Sequence, residues 1–332
     1  MRLGFTTSIF AKPIASGEVN LGGLVDFAEQ QGFVAIELRD DGASYSVEDV
    51  QNFVKDAQAK NIEVTYAIRN DMFEEGDRAL LERGIERAAL CGEGTVLRML
   101  AAQSVLAAPE KKGYTRQEIQ RIAQIAATYA QMADKKGIFL AIEHAKEPLY
   151  GDGSTYFGLD DVFKELEATG GAPTNLGITF DPANALYVTL CKAPTTPDKV
   201  IQFLETHNQY IALVHYKTTV NGKTTPVITD ADIENEGLFA LLAKVYDGIV
   251  CLEIPGAAGL ATVLGGGMGF EPATADPLRA GAAMRAAVAG ALARAGVDGR
   301  ALRVIVRAAP PPAQGAEARI LADLVEDGDA QV

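Results

Sequence analysis

Cysteine is scarce: the 332 residues hold three, Cys91, Cys191 and Cys251, far apart and without a CxxC pair. An odd number leaves one thiol over in any disulfide scheme, and the spacing offers neither a zinc knuckle nor a dithiol redox centre, so a reducing cytoplasm is expected. Positive charge is also short, with 30 Lys and Arg against 44 Asp and Glu and a formal net charge of −14. A surface of that sign repels a phosphate backbone and an anionic bilayer, which argues against nucleic acid and membranes as partners. No apolar run approaches the thickness of a bilayer, and the opening Met1-Arg2-Leu3-Gly4-Phe5-Thr6-Thr7-Ser8 lacks the two regions of a secretion signal. Nor does a G-x-G-x-x-G follow the first apolar run, which weakens a doubly wound dinucleotide fold.

What is present is a globular composition, 48% hydrophobic and 22% charged, sufficient to bury a full core. Short apolar β-rich runs alternate with amphipathic segments whose apolar residues recur at three and four. Strands are expected over 3–9, 34–38, 63–68, 95–100, 139–143, 176–180, 212–215 and 250–254. Helices are expected over about 20–31, 47–60, 76–91, 115–136, 159–169, 197–207 and 235–245, with Ser46 as an N-cap and Gly137 as a terminator. Eight strands each followed by a helix point to an α/β fold, a closed (β/α)8 TIM barrel, because an open sheet of that size needs two protected edges.

Composition changes after Pro255: residues 256–332 contain no Lys, His, Tyr, Ser, Asn or Cys, and Ala, Gly and Arg dominate. The eighth helix is expected over 276–295, with Pro277 in its first turn and Gly296 past its end. Pro310-Pro311-Pro312 reads as a linker, dividing the chain into a barrel over 1–299 and a flexible Ala/Gly/Arg-rich extension over 300–332. A natural extension, a fusion and a change of reading frame all fit this shift.

Chemistry in such a barrel sits where strands end at the C-terminal face. Four ends carry polar groups after an apolar run: Ala141-Ile142-Glu143-His144, Phe180-Asp181-Pro182-Ala183-Asn184, Val214-His215-Tyr216-Lys217 and Leu252-Glu253-Ile254-Pro255. Any one is equally read as a cap or a salt-bridged residue. Together, Glu143, Asp181, His215 and Glu253 from four successive strands offer three hard oxygen donors and an imidazole, a set that suits Mn2+ first and Mg2+ or Co2+ next. Burying several carboxylates without a cation is costly, which favours the metal site.

These four segments resemble the xylose isomerase-like TIM barrel superfamily, the sugar phosphate isomerases and epimerases, over roughly residues 1–256. The resemblance implies that Glu143, Asp181, His215 and Glu253 bind the metal and that Glu143 and Glu253 also move protons. Two departures stand out. Thr218 replaces the acid that usually follows the His-x-Lys run, and Asn184 stands where ketose epimerases often carry histidine. Endonuclease IV shares the fold but needs a histidine-rich zinc site, for which His144, His207 and His215 are too few.

The expected activity is a divalent-metal-dependent isomerisation or epimerisation of a sugar through an enediolate, with Lys217 stabilising the developing oxyanion or serving as an ordinary salt-bridged lysine. A metal-dependent lyase, such as an inosose dehydratase or a C-glycoside deglycosidase subunit, and a non-catalytic sugar-binding barrel are the alternatives. His144, Asn184 and Arg98 are candidate substrate contacts. For Arg98, as for Glu37, Arg39 and Arg69, a structural ion pair is the favoured role over pocket lining, and His144 points away if neighbours on the strand alternate. The segment 146–157, with Tyr150, Tyr156 and Phe157, reads as an aromatic loop over a sugar or a plain surface connection. Gly265-Gly266-Gly267 is a weak phosphate cradle. A carbohydrate substrate and a homo-oligomer complete the expected partners.

Overall fold

The computed structural model describes residues 1–253, apart from 18, 187–190, 222, 226–232 and 234. Eight parallel strands close into a barrel: β1 (Arg2–Thr6), β2 (Ala35–Arg39), β3 (Glu63–Ala67), β4 (Val96–Leu100), β5 (Phe139–Glu143), β6 (Leu176–Phe180), β7 (Ile211–Tyr216) and β8 (Ile249–Leu252). Each pairs with its neighbours in chain order, and β1 closes the ring on β8, with Arg2 opposite Ile249 and Phe5 opposite Leu252. Seven helices follow the first seven strands: α1 (Leu21–Gln31), α2 (Val47–Ala59), α3 (Glu75–Ala89), α4 (Arg116–Asp134), α5 (Leu159–Ala168), α6 (Pro197–His207) and α7 (Asn235–Val245).

The helices begin where their caps dictate. Ser46 accepts from the Asp49 backbone at 3.0 Å while Asp49 accepts from the Ser46 backbone at 3.1 Å, a reciprocal capping box that starts α2. Thr115 and Glu118 repeat the device at α4. That helix ends at Asp134, and Gly137, with φ +68, turns the chain back toward β5 three residues later. The first strand stops at Thr6 rather than running to residue 9, because the Thr6 hydroxyl accepts from the Ser8 backbone and opens a 3-10 turn over Thr7–Phe10. That turn delivers Phe10 to an edge-to-face cluster with Phe5 and Phe27.

Two-residue periodicity decides what faces the barrel axis. The cross-strand register aligns Arg39 with Ala67, Ala67 with Arg98, Arg98 with Ala141, and Glu143 with Thr179. Ala35, Leu213, Ile249 and Cys251 form a small apolar cluster with Val96 against it. Coming from β2, β7, β8 and β4, they meet only across the interior, and they plug its floor. The main apolar cluster, with Leu3, Phe5, Ile36, Leu38, Ile142, Ile178 and Phe180 from the strands, takes the opposite parity and packs against the helices. The groups one and two steps above the plug, Glu37, Arg39, Arg98, Glu143, His215 and Glu253, are therefore carried toward the mouth.

A hairpin of Thr218–Val220 and Lys223–Thr225 follows β7, and its turn has Asn221 at φ +52. The segment 146–157 is packed in place. Asp152 accepts from the backbones of Ser154, Thr155 and Tyr156, Tyr114 and Phe157 exchange backbone hydrogen bonds, and Tyr150 lies edge-on to Phe203. Its aromatic residues serve the helix layer. The expected eighth helix, Gly265-Gly266-Gly267, the proline linker and the extension over 300–332 lie outside the described residues. No helix among the described residues is long and apolar enough to cross a membrane.

Two glycines test this packing in opposite senses. A methyl group at Gly177 in β6 would run into the Tyr210 carbonyl and lie 2.9 Å from the Phe139 ring, whereas nothing lies within 4 Å of one at Gly76 in α3. Gly177→Ala should lower the urea-unfolding free energy by about 1–3 kcal/mol, and Gly76→Ala should raise it by about 0.5–1 kcal/mol.

Candidate metal centre

The C-terminal mouth gathers four side chains whose donor atoms all lie within 4.8 Å of one another: Glu143, Asp181, His215 and Glu253. Glu143 is the last residue of β5, Asp181 follows β6, His215 lies in β7, and Glu253 follows β8. The register of β6 against β7 shifts between Ile178 and Thr179, just below Asp181. Asp181 is then locked by its own loop, its Oδ1 accepting from the Ala183 and Asn184 backbones at 3.0 Å each.

The imidazole of His215 is held from both sides. Its Nε2 lies 2.8 Å from Glu37 Oε2, while Nδ1 lies 3.2 Å from Glu143 Oε1 and 3.7 Å from Glu253 Oε2. An Nε2–H donated to Glu37 turns Nδ1 toward the carboxylates, the arrangement by which a carboxylate orients a histidine that ligates a metal once Nδ1 has given up its proton. Glu143 is fixed by two groups besides. Arg98 forms an ion pair with it and donates to the Ile68 carbonyl at 2.6 Å, and Asn184 Nδ2 reaches Glu143 Oε1 at 3.2 Å and the His144 carbonyl at 2.9 Å. Lys217 Nζ bridges Asp181 and Glu253, and Arg39 joins Glu253 at 3.1 Å to Asp41 at 2.6 Å.

Charge in this group is set by its neighbours. Burial would raise the Glu143 carboxyl, but Arg98 and then His215 hold it well below the usual carboxylate range. Burial likewise opposes ionisation of Glu253, yet Lys217 and His215 bring it down to about 2. For Asp181 burial wins: with Glu253 and Glu143 adding to it, Lys217 does not prevent a rise to about 6. His215 goes up to about 10 because Glu37 and Glu143 outweigh its burial.

These donors fit a divalent cation. Three carboxylates and one oriented imidazole supply hard oxygen and borderline nitrogen at one point.

Of the remaining candidates, Arg98 is buried beneath Glu143 and spent on it and on Ile68, so it positions the carboxylate rather than meeting a substrate. Asn184 likewise holds Glu143. His144 does not join the group. Next to inward-facing Glu143, it points outward, fully buried, with Nε2 accepting from the Asp181 backbone at 3.3 Å and its ring near Phe180. Burial lowers its pKa to about 4 and keeps it neutral. Glu37, read from sequence as pocket lining or an ion pair, is the partner of His215 across the barrel. Asp41 was missed; its signal is inward parity two residues after Arg39.

A family model described as xylose isomerase-like TIM barrel matches residues 25–284. The chain belongs to that family. Solved structures similar to it include an L-ribulose 3-epimerase, 17% identical with a TM-score of 0.63, covering 93% of this chain and 99% of that one. A D-psicose 3-epimerase from Clostridium cellulolyticum H10 is 14% identical with a TM-score of 0.63 over 88% of this chain and 99% of its own. A xylose isomerase domain protein from Alicyclobacillus acidocaldarius subsp. acidocaldarius is 14% identical with a TM-score of 0.61 over 89% and 99%. At such identities the likeness is one of fold. A comparison with curated proteins gave no match.

The Arg98–Glu143 pair generates a stability test. Arg98→Met leaves a buried carboxylate without its main cation and should cost about 3–5 kcal/mol in urea unfolding. Adding Glu143→Gln removes the stranded charge and should recover most of that loss. A single variant as stable as the parent would mean that the pair does not constrain the barrel.

Proposed function

We propose that this protein is a divalent-metal-dependent carbohydrate isomerase or epimerase, with Glu143, Asp181, His215 and Glu253 as the metal ligands. The observation that carries the reading is the convergence of these four strand-end donors within 4.8 Å at the C-terminal mouth. The donor set favours Mn2+, with Mg2+ and Co2+ as alternatives. An ion bound there supplies Lewis acidity, polarising a carbonyl and acidifying the adjacent C–H. The 3-epimerases among the structural neighbours support a ketose as substrate and C3 as its reacting carbon.

The residues divide the remaining work. Glu253 is ionised and, with its side chain 14% exposed, is the carboxylate within reach of a bound sugar. It serves as the base on one face of the reacting carbon. Glu143 is ionised but 2% exposed and clamped by Arg98, Asn184 and His215, so it acts from a fixed position on the other face. Removal of a proton by one and its return by the other inverts the carbon, whereas one base alone shuttles it between neighbouring carbons. Lys217, already aimed at Asp181 and Glu253, donates to the sugar oxygen that gains negative charge. Arg98 and Asn184 position Glu143, and Glu37 orients His215.

The parent should retain about one divalent ion per chain after chelation and reloading, and Asp181→Ala and His215→Ala should lose tight binding. Proton NMR in D2O, with a panel of ketoses and aldoses, should show solvent deuterium entering beside the carbonyl. Glu253→Gln at saturating metal should slow that exchange by about 100- to 10,000-fold. Undiminished exchange would remove Glu253 from the proton transfer, and unchanged metal content in both ligand variants would remove the site.

A further inference from the structure

Three arginines stand at the ends of consecutive strands on one side of the mouth: Arg39 closes β2, Arg69 follows β3 by two residues, and Arg98 lies in β4. They share one parity. Arg39 is level with Ala67, Ala67 with Arg98, and Arg69 is the next inward position after Ala67. Two of the three are committed. Arg98 is buried on Glu143 and the Ile68 carbonyl, and Arg39 uses Nε on Asp41 and Nη1 on Glu253, leaving Nη2.

Arg69 differs. It is exposed at the rim, and its guanidinium has no hydrogen-bond or ion-pair partner among the described residues. Its backbone N–H donates to the Asp41 carbonyl at 3.2 Å, which fixes it beside the residue that holds Arg39. The nearby carboxylate of Asp41 is already taken by Arg39 at 2.6 Å. Partial burial pushes the Arg69 pKa down, Asp41 pulls against it, and the positive charges of Arg39 and Arg98 add to the fall. This is a cation fixed at its backbone and open to solvent, in a chain whose formal charge is −14.

We propose that Arg69, with the free Nη2 of Arg39 beside it, binds an anionic substituent of the substrate, a phosphate or a carboxylate. The inference rests on the reading of the mouth as a carbohydrate site and narrows the substrate to a charged sugar. A guanidinium presents paired N–H donors that match two oxygens of either anion, and the placement on the β2–β4 side sets that group across the mouth from Asp181 and Lys217. The reacting end of the sugar then lies at the carboxylates and its charged end at the arginines.

Calorimetric titration of the Mn2+-loaded full chain with D-fructose, D-fructose 6-phosphate and D-fructuronate tests this, alongside exchange in D2O with the same three sugars. At least one charged ketose should bind about 10-fold more tightly than fructose, and the preferred one identifies the anion. Arg69→Ala should abolish that preference while leaving the affinity for fructose and the melting temperature unchanged, and Arg69→Lys should keep part of it, since the charge remains without the fork. Equal binding of all three sugars, binding of none, or a preference that survives Arg69→Ala would overturn the proposal. Exchange on fructose without charge preference would sink the anion site and leave the isomerase reading standing. A preference lost in Arg69→Ala with no exchange on any sugar would support the anion site and sink the isomerase reading.

Discussion

The guanidinium of Arg98 is the charge on which the mouth of this barrel depends. It is 2% exposed, inside a ring of strands where an ion left without a partner costs several kcal/mol. Its pairing with Glu143 makes a buried carboxylate tolerable, Glu143 shares the imidazole of His215, and His215 reaches Glu37 on the far wall. Charges of alternating sign thus cross the interior from β4 to β5, β7 and β2. A second chain runs around the rim, from Asp181 through Lys217, Glu253 and Arg39 to Asp41, and meets the first where His215 lies 3.7 Å from Glu253. Apolar residues of matching shape would fill this interior with equal or greater stability, as they do at the floor, where Leu213, Ile249 and Cys251 pack against Ala35. The polar upper layers are therefore a feature of function, located above a conventional plug.

Much of this was legible in the sequence because strand ends announce themselves. A polar residue straight after a buried apolar run has one place to go, and the ranges 139–143 and 176–180 match β5 and β6 residue for residue. Partners across the barrel were not legible. Glu37 and His215 are 178 residues apart, and nothing local to either says that closure of β1 on β8 will bring them to 2.8 Å. His144 shows the opposite error. Adjacency to Glu143 suggested a shared task, but adjacency on a strand means opposite faces, and its imidazole went to the helix layer. Between the expected strand at 212–215 and helix at 235–245 the sequence reading has no element, although Asn221-Gly222 between threonine-rich runs is the turn signal of the hairpin found there. Arg98 carried a signal as well: a charge between Leu97 and Met99 in an otherwise apolar strand is stable only if it faces the interior and finds an anion there.

Sorting the inward charges by strand exposes a division. All three arginines, Arg39, Arg69 and Arg98, come from β2 to β4, where Glu37 and Asp41 are the counter-charges, whereas Glu143, Asp181, His215, Lys217 and Glu253 come from β5 to β8. Register gives the division its shape, since Arg98 lies level with Ala141, one inward step below Glu143, and so supports that carboxylate from beneath while Arg39 meets Glu253 at the rim. The net charge of −14 opposes an approaching anion at long range, but that field is screened within a Debye length of about 8 Å at physiological ionic strength. Inside that distance the local arrangement governs. Over β2 and β3 an anion meets the guanidinium of Arg69 next to an Asp41 carboxylate that Arg39 already holds, whereas the cluster of Glu143, Asp181, His215 and Glu253 is reached over β5 to β8. The same two-residue alternation that plugs the floor therefore gives the mouth a direction, because each strand contributes one inward residue per level and the cation without an ion-pair partner among the described residues stands after β3 while the cluster stands at the ends of β5 to β8.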